Sequence, residues 1–355
     1  MRKVRKTYQI VVQNAKRKEE TRTPHKMQYD LREFVTWIVS ELEPAVRLDD
    51  TAGSYTDNPS DRNLRLYGAA DMACVFHTIG ALDVNEKQRR EWSEHCNAFQ
   101  SADGMYRADP PNHSVLHNTA FMLGAMNLLG IKPEKPLEFV RQYDTREKLD
   151  TWLQSFDWQR DVYTRSHDGA GLASAAALAP GTVARQWFDW YFDLCDAYFD
   201  ENNGMMGRGK PAGGDTDQIG GTFHYIFVYD FFRRPVPYPQ QRIDAILGLQ
   251  LPDGLWHEHN TWWMTLDAVY MMTRAVRQCG HRIEDVRAAV RKTLSNRYDV
   301  ICDAKRREQQ YLSHIGPHSA TATLNLFAEA QQFLGSKQVV TDWPLQLVLD
   351  RRPFI

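Results

Sequence analysis

Three things are scarce in this chain of 355 residues, and each scarcity removes a class of function. Basic charge is not in surplus: 43 Lys and Arg stand against 45 Asp and Glu, a net charge of −2. Holding nucleic acid by its phosphates needs such a surplus, so no nucleic-acid partner is expected. No apolar run reaches about 18 residues, so no membrane span is expected. The basic N-terminus, MRKVRKTYQIVVQNAKRKEE, carries only the short apolar stretch Ile10–Val12, too little for a signal-peptide core. It reads as a solvated arm over residues 1–28. Cysteine is sparse and dispersed, at Cys74, Cys96, Cys195, Cys279 and Cys302, with no CxxC pair. Such a set builds no disulfide framework and fits a reducing compartment, so the cytoplasm is the expected location.

What is present is a repeat. Apolar stretches end in glycine at Gly80, Gly130, Gly280 and Gly335, steps of 50, 150 and 55 residues. Glycine just past a helix end takes the left-handed conformation without a Cβ clash. Turn-forming pairs keep the same beat: Asp103-Gly104, Asn203-Gly204 and Asp253-Gly254 are 100 and 50 apart. The chain therefore divides into six helical hairpins of about 50 residues. Their second helices are expected to begin near Tyr67, Leu116, Asp168, Ile219, Trp262 and Pro317. These second helices are small and apolar nearly all round, as in GLASAAALA and ATATLNLFAEA, which suits buried inner helices. The first helices, for example 137–154 and 285–297, carry more charge and suit an outer layer. The expected architecture is all-α: an (α/α)6 toroid over residues 29–340, with a tail at 341–355. Strand signals are few, and Val339–Val340 is expected to pair with little.

Gln250-Leu-Pro-Asp253-Gly254-Leu-Trp256 spells QxxDGxW, and Gln100-Ser-Ala-Asp103-Gly104-Met-Tyr106 is a copy with Tyr for Trp. This motif resembles the repeat of the terpenoid cyclase and protein prenyltransferase toroids. The resemblance implies the fold more than the chemistry, because six-hairpin toroids also host glycoside hydrolases, polysaccharide lyases and sugar epimerases. Class II terpenoid cyclases use a DxDD acid. The nearest match, Asp215-Thr216-Asp217-Gln218, ends in glutamine where that family has Asp. Zinc-dependent prenyltransferases need a Cys at the mouth, and no cysteine here sits beside a mouth motif.

In a toroid, loops leading into the inner helices converge on one mouth. His113, His117, His167, His224, His257, His259, His314 and His318 lie in those entries, eight of the 12 histidines. Imidazole exchanges a proton near neutral pH, so the set marks a site. Asp215 and Asp217 precede an apolar helix, where paired carboxylates can divide acid and base roles or simply cap the helix. Trp256, Trp262 and Trp263 offer faces to a sugar ring or a polyprene. Asp267 lies in an otherwise apolar stretch and needs a partner or a cavity. Asp71 and Asp230 pose the same question, with Arg107, Arg165 or Arg185 as candidate partners.

The expected catalytic set is Asp217, His224, His257, His117 and Asp215. The expected substrate contacts are Trp256, Trp262, Trp263, His113, His259, His314 and Asp267. His113 and His117, four apart, would share a helix face and could bind a metal with Asp168 or Asp217 as third ligand; on balance no metal and no cofactor are expected. The functional expectation is a carbohydrate-active enzyme, a hydrolase, lyase or epimerase, acting on a small-molecule or oligosaccharide substrate. The alternatives are a terpenoid cyclase-like enzyme with Asp217 as acid, and a non-catalytic binding toroid.

Overall fold

The computed structural model describes residues 28–207, 214–258, 262–313 and 315–355. The expected N-terminal arm, apart from Gln28, lies outside the described residues, as do His259 and His314. The described residues are mostly helical, 61% helix and 3% strand. Among the described residues no helix is long and apolar enough to cross a membrane.

Helix α1 (Arg32–Trp37) passes through a π turn, Ile38–Leu42, into α2 (Glu43–Val46). There follow α3 (Leu66–Thr78), α4 (Glu86–Asn97), α5 (Val115–Leu129), α6 (Arg146–Gln154), α7 (Val162–Leu178), α8 (Arg185–Asp196), α9 (Gly214–Phe231), α10 (Pro239–Gly248), α11 (Trp262–Cys279), α12 (Ile283–Cys302), α13 (Ala304–Tyr311) and α14 (Gly316–Leu334). Local chemistry sets several of these ends. Asn85 and Gln88 form a reciprocal capping box that starts α4. Ser114 caps α5 by accepting from the His117 N–H. Gly130 closes α5 in the left-handed conformation, φ 69°.

Helices α3, α5, α7, α11 and α14 are buried on nearly every face. With α9 they pack in cyclic order: α3 on α5, α5 on α7, α7 on α9, α9 on α11, α11 on α14, and α14 back on α3. The more charged helices pack against this set, α4 on α3 and α5, α10 on α11, and α12 on α11 and α14. The segment expected as one helix at 137–154 is a 3-10 turn, Glu138–Tyr143, followed by α6.

Two helix starts differ from expectation. Helix α7 begins at Val162 rather than near Asp168, and α9 at Gly214 rather than near Ile219. Their first turns are polar (Thr164, Arg165; Asp215, Asp217), and an apolar pattern does not register a helix turn that faces a polar opening. Asp215 and Asp217 therefore lie in the first turn of α9, not ahead of it.

Strand β1 (Tyr29–Asp30) pairs in parallel with β2 (Val339–Val340), Tyr29 opposite Val339 and Asp30 opposite Val340. Thus Val339–Val340, expected to pair with little, ties the start of the helical array to its end. Beyond it, residues 341–355 run inward. The Leu345 N–H donates to Gln331 Oε1 (2.8 Å), the Gln346 N–H to the Thr78 carbonyl (2.9 Å), and the Val348 N–H to Asn325 Oδ1 (2.8 Å). Arg352 Nε then donates to the Gly124 carbonyl (3.0 Å), and Ser174 Oγ to the Pro353 carbonyl. These bonds carry Phe354 and Ile355, both buried, into the middle of the cyclic array.

Candidate functional site

A cavity of about 180 Å³ opens among the N-terminal ends of the cyclically packed helices. Each contributes side chains: Tyr67 from α3, His117 from α5 with His113 just ahead of it, Tyr163 from α7, Phe223 and His224 from α9, Trp262, Trp263 and Asp267 from α11, and His318 from α14. Asp57 also reaches it, and Ile355 of the tail lines it from within. Phe354 packs beside the imidazoles, 4.8 Å from the His117 ring centroid and parallel to the His224 ring.

Small residues bring the histidines together. A Cβ on Gly171 of α7 would lie 2.8 Å from the Leu116 carbonyl oxygen, so only glycine lets α7 approach α5 this closely. The imidazoles consequently crowd. His113 stacks on His117 at 4.3 Å, and His167 meets them edge-on at 5.0 and 4.7 Å. His224 lies 5.1 Å from His167.

Proton counting fixes their tautomers. Tyr67 Oη donates its single proton to Asn118 Oδ1 (2.9 Å). It also touches His117 Nδ1 (2.9 Å) and His113 Nδ1 (2.8 Å), and His113 Nδ1 faces Asn112 Oδ1 as well, so both imidazoles carry their proton on Nδ1, with that of His113 shared between Tyr67 and Asn112. Their Nε2 atoms are left as lone pairs. Ser166 Oγ donates to the Tyr163 carbonyl and is 2.7 Å from His224 Nδ1, so His224 is likewise an Nδ1–H tautomer. His167 Nε2 is buried without a hydrogen-bond partner among the described residues.

Burial, reinforced by the neighbouring imidazoles, lowers the His113 pKa to about 3 and holds His117 and His224 well below their ordinary value. Burial pushes His167 down to about 4. All four are neutral at physiological pH.

His318 behaves in the opposite way. Burial alone would lower its pKa, but the charge of Asp71, the hydrogen bond to it and the charge of Asp57 outweigh burial and raise it. Its Nδ1 bonds Asp71 Oδ1 at 2.9 Å, and Asp71 is fully buried. Asp267 is 3% exposed, and burial raises its carboxyl well above the carboxylate range. Among the described residues no ion pair offsets that burial. Around these groups stand aromatic faces. Trp263 stacks on Tyr163 (5.2 Å, 25°), and Trp262 meets His318 edge-on (5.2 Å).

Of the residues singled out from sequence, His113, His117, His224, Trp262, Trp263 and Asp267 line this one cavity. Asp215, Asp217 and His257 are not among its lining residues. Asp215 is exposed on the first turn of α9. Asp217 is closer, since its charge reaches the Tyr163 phenol, and its own carboxyl is raised by burial and by Asp161. Trp256 belongs to the core, 6% exposed with Nε1 donating to the Ile246 carbonyl (2.8 Å).

The expected arginine partners serve elsewhere: Arg107 pairs with Asp103, and Arg165 with Asp161 and Asp168. Asp71 is held by His318 instead, and Asp230 by Arg274 and the Tyr270 hydroxyl.

Tyr67, Tyr163 and Asp57 were not singled out for the site, and His167 and His318 entered only as members of the mouth set. A signal for several of them lies in the repeat itself. Tyr67, His117, His167 and Asp267 stand at intervals of 50, 50 and 100 residues, one position per hairpin. Asp217 falls on the same arithmetic, but in α9 the inward position passes to His224.

No protein-family model, no curated protein and no solved structure matches this chain.

Proposed function

We propose that the chain is a six-hairpin (α/α)6 toroid whose mouth cavity is the active site of a carbohydrate-active enzyme of the hydrolase, lyase or epimerase type. The observation that carries this reading is the meeting of Asp267, the Asp71–His318 pair and the Trp263–Tyr163 stack around one small cavity. An acid kept protonated by burial can donate a proton at neutral pH. An imidazole oriented by a buried carboxylate is a base held in one tautomer. The indole and phenol faces suit the apolar face of a sugar ring, and the polar rim suits its hydroxyls. In this division of labour Asp267 protonates the departing or reacting oxygen and His318 takes up a proton. The cyclic packing of six helices supports the toroid.

A cyclase reading with Asp217 as acid fits less well, because Asp217 is not among the residues that line the cavity. A purely binding toroid also fits less well, because it needs no unpaired nitrogen in its interior.

The test is an assay of the purified protein on oligosaccharides and uronates, with polyprenyl diphosphates as the contrast. Asp267→Asn and His318→Gln are each expected to lower turnover by about 10²–10⁴-fold, with Asp215→Asn near wild type. Turnover confined to the diphosphates, or an Asp267→Asn protein at full rate on its saccharide, would overturn the reading.

A further inference from the structure

The geometry points to a divalent transition-metal site, of the kind zinc occupies, formed by His113, His117 and His167 in the cavity wall. One nitrogen from each lies within 4.8 Å of the other two. Imidazole nitrogens on a shared tetrahedral zinc stand about 3.3 Å apart, given Zn–N bonds near 2.0–2.1 Å. Closing the triangle moves each ring inward by about 1 Å or less, within what a χ rotation supplies.

The hydrogen bonds already prepare the ligands. The Nδ1–H of His117 donates to Tyr67 Oη and that of His113 is shared between Tyr67 Oη and Asn112 Oδ1, which leaves Nε2 of each as the lone-pair donor. This is the outer-sphere arrangement that orients metal-binding histidines. His167 supplies an independent indication. It is 5% exposed, and its Nε2 has no hydrogen-bond partner among the described residues. A buried imidazole nitrogen without a partner beside two further histidines lacks an interaction that an ion would supply.

All-imidazole ligation selects borderline ions such as zinc over magnesium or calcium, which require oxygen. Three protein ligands leave a fourth position, and two of the three line the cavity. The third ligand is thus His167, not the adjacent Asp168 or the more distant Asp217. The site is independent of which substrate the cavity takes.

The full-length, tag-free protein is stripped with a chelator and titrated with Zn²⁺ by calorimetry. Co²⁺ is then added and its visible d–d absorption recorded. One equivalent per chain, a rise in melting temperature on Zn²⁺ addition, and Co²⁺ bands of a four- or five-coordinate nitrogen site are expected. His113→Ala and His167→Gln are expected to abolish stoichiometric uptake. Tyr67→Phe is expected to weaken it about 10-fold or more, and His281→Ala to leave it unchanged. Absence of stoichiometric uptake by the wild-type protein overturns the proposal whether or not the variants fold. So does uptake unaffected by His113→Ala and His167→Gln in folded protein. Neither result bears on Asp267 or on saccharide turnover.

Discussion

Asp267 works against the stability of the molecule it serves. The native chain holds its carboxyl protonated by burial, while an unfolded aspartate ionises near pH 3.9. Between those values the native state binds a proton that the unfolded state has released, so this group costs stability increasingly as pH rises above about 4. Below pH 4 both states are protonated and the cost vanishes. Asp267→Asn, which keeps the shape and removes the titration, is therefore expected to melt higher than wild type at pH 7. At pH 3.5 the two proteins should melt together. Thermal melts at the two pH values decide it: a variant that melts lower than wild type at pH 7 would mean that the carboxylate is ionised and paired. A variant that loses turnover while gaining stability is what a functional rather than a structural carboxyl gives.

At the scale of the element, the QxxDGxW segments are fasteners. Gln250 Nε2 donates to the Gly254 carbonyl (3.0 Å) and to the Ala289 carbonyl of α12 (3.1 Å), while Asp253 Oδ1 accepts from the Leu255 N–H (3.0 Å). Gln100 repeats this on the Gly104 and Lys135 carbonyls. In the third copy Asn203 takes the Asp position, accepting from the Met205 N–H, and Arg242 Nε reaches the Gly204 carbonyl. Each segment joins one hairpin to the next with no side chain in the cavity. Gln250→Ala is expected to cost about 0.5–1.5 kcal/mol, since it removes the Gln250 amide bonds while Thr293 Oγ1 still donates to the Gly254 carbonyl (2.7 Å). Urea denaturation checks it, and saccharide turnover should persist in the folded fraction.

The same elements explain what could be read in advance. Glycines and turn pairs recur because backbone conformation demands them, so the hairpin period was visible in the residue string. Helical character followed from the apolar faces. The first turns of α7 and α9 did not, because side chains facing a polar opening break the apolar pattern. His117 and His224 stood out as members of the mouth set, and Asp267 as a carboxylate in an apolar stretch. Partnership was invisible: nothing local distinguishes His318, which holds Asp71 from 247 residues away, from a histidine at the surface. Trp256 looked like a ligand face and is a core residue, because an indole serves both uses equally well.

At the scale of the whole molecule, the inner end of the cavity is built by the tail. Phe354 sits among the rings of His117, His224 and Phe227. Phe354→Ala is expected to cost about 3–5 kcal/mol and to loosen the imidazoles it touches. Denaturant titration measures the first effect, and a weaker response to Zn²⁺ the second.

The closing contact of the cyclic array, α14 on α3, is also where Asp71 meets His318. A hydrogen bond between residues so far apart in the chain has to wait for nearly every intervening helix, because long closures are entropically disfavoured until neighbouring contacts are in place. The Asp71–His318 pair is therefore a clasp on folding as well as part of the proposed site. On dilution from denaturant, helical circular dichroism should return first and turnover only with the slowest phase. A chain stalled before closure would have most of its helix and none of its chemistry.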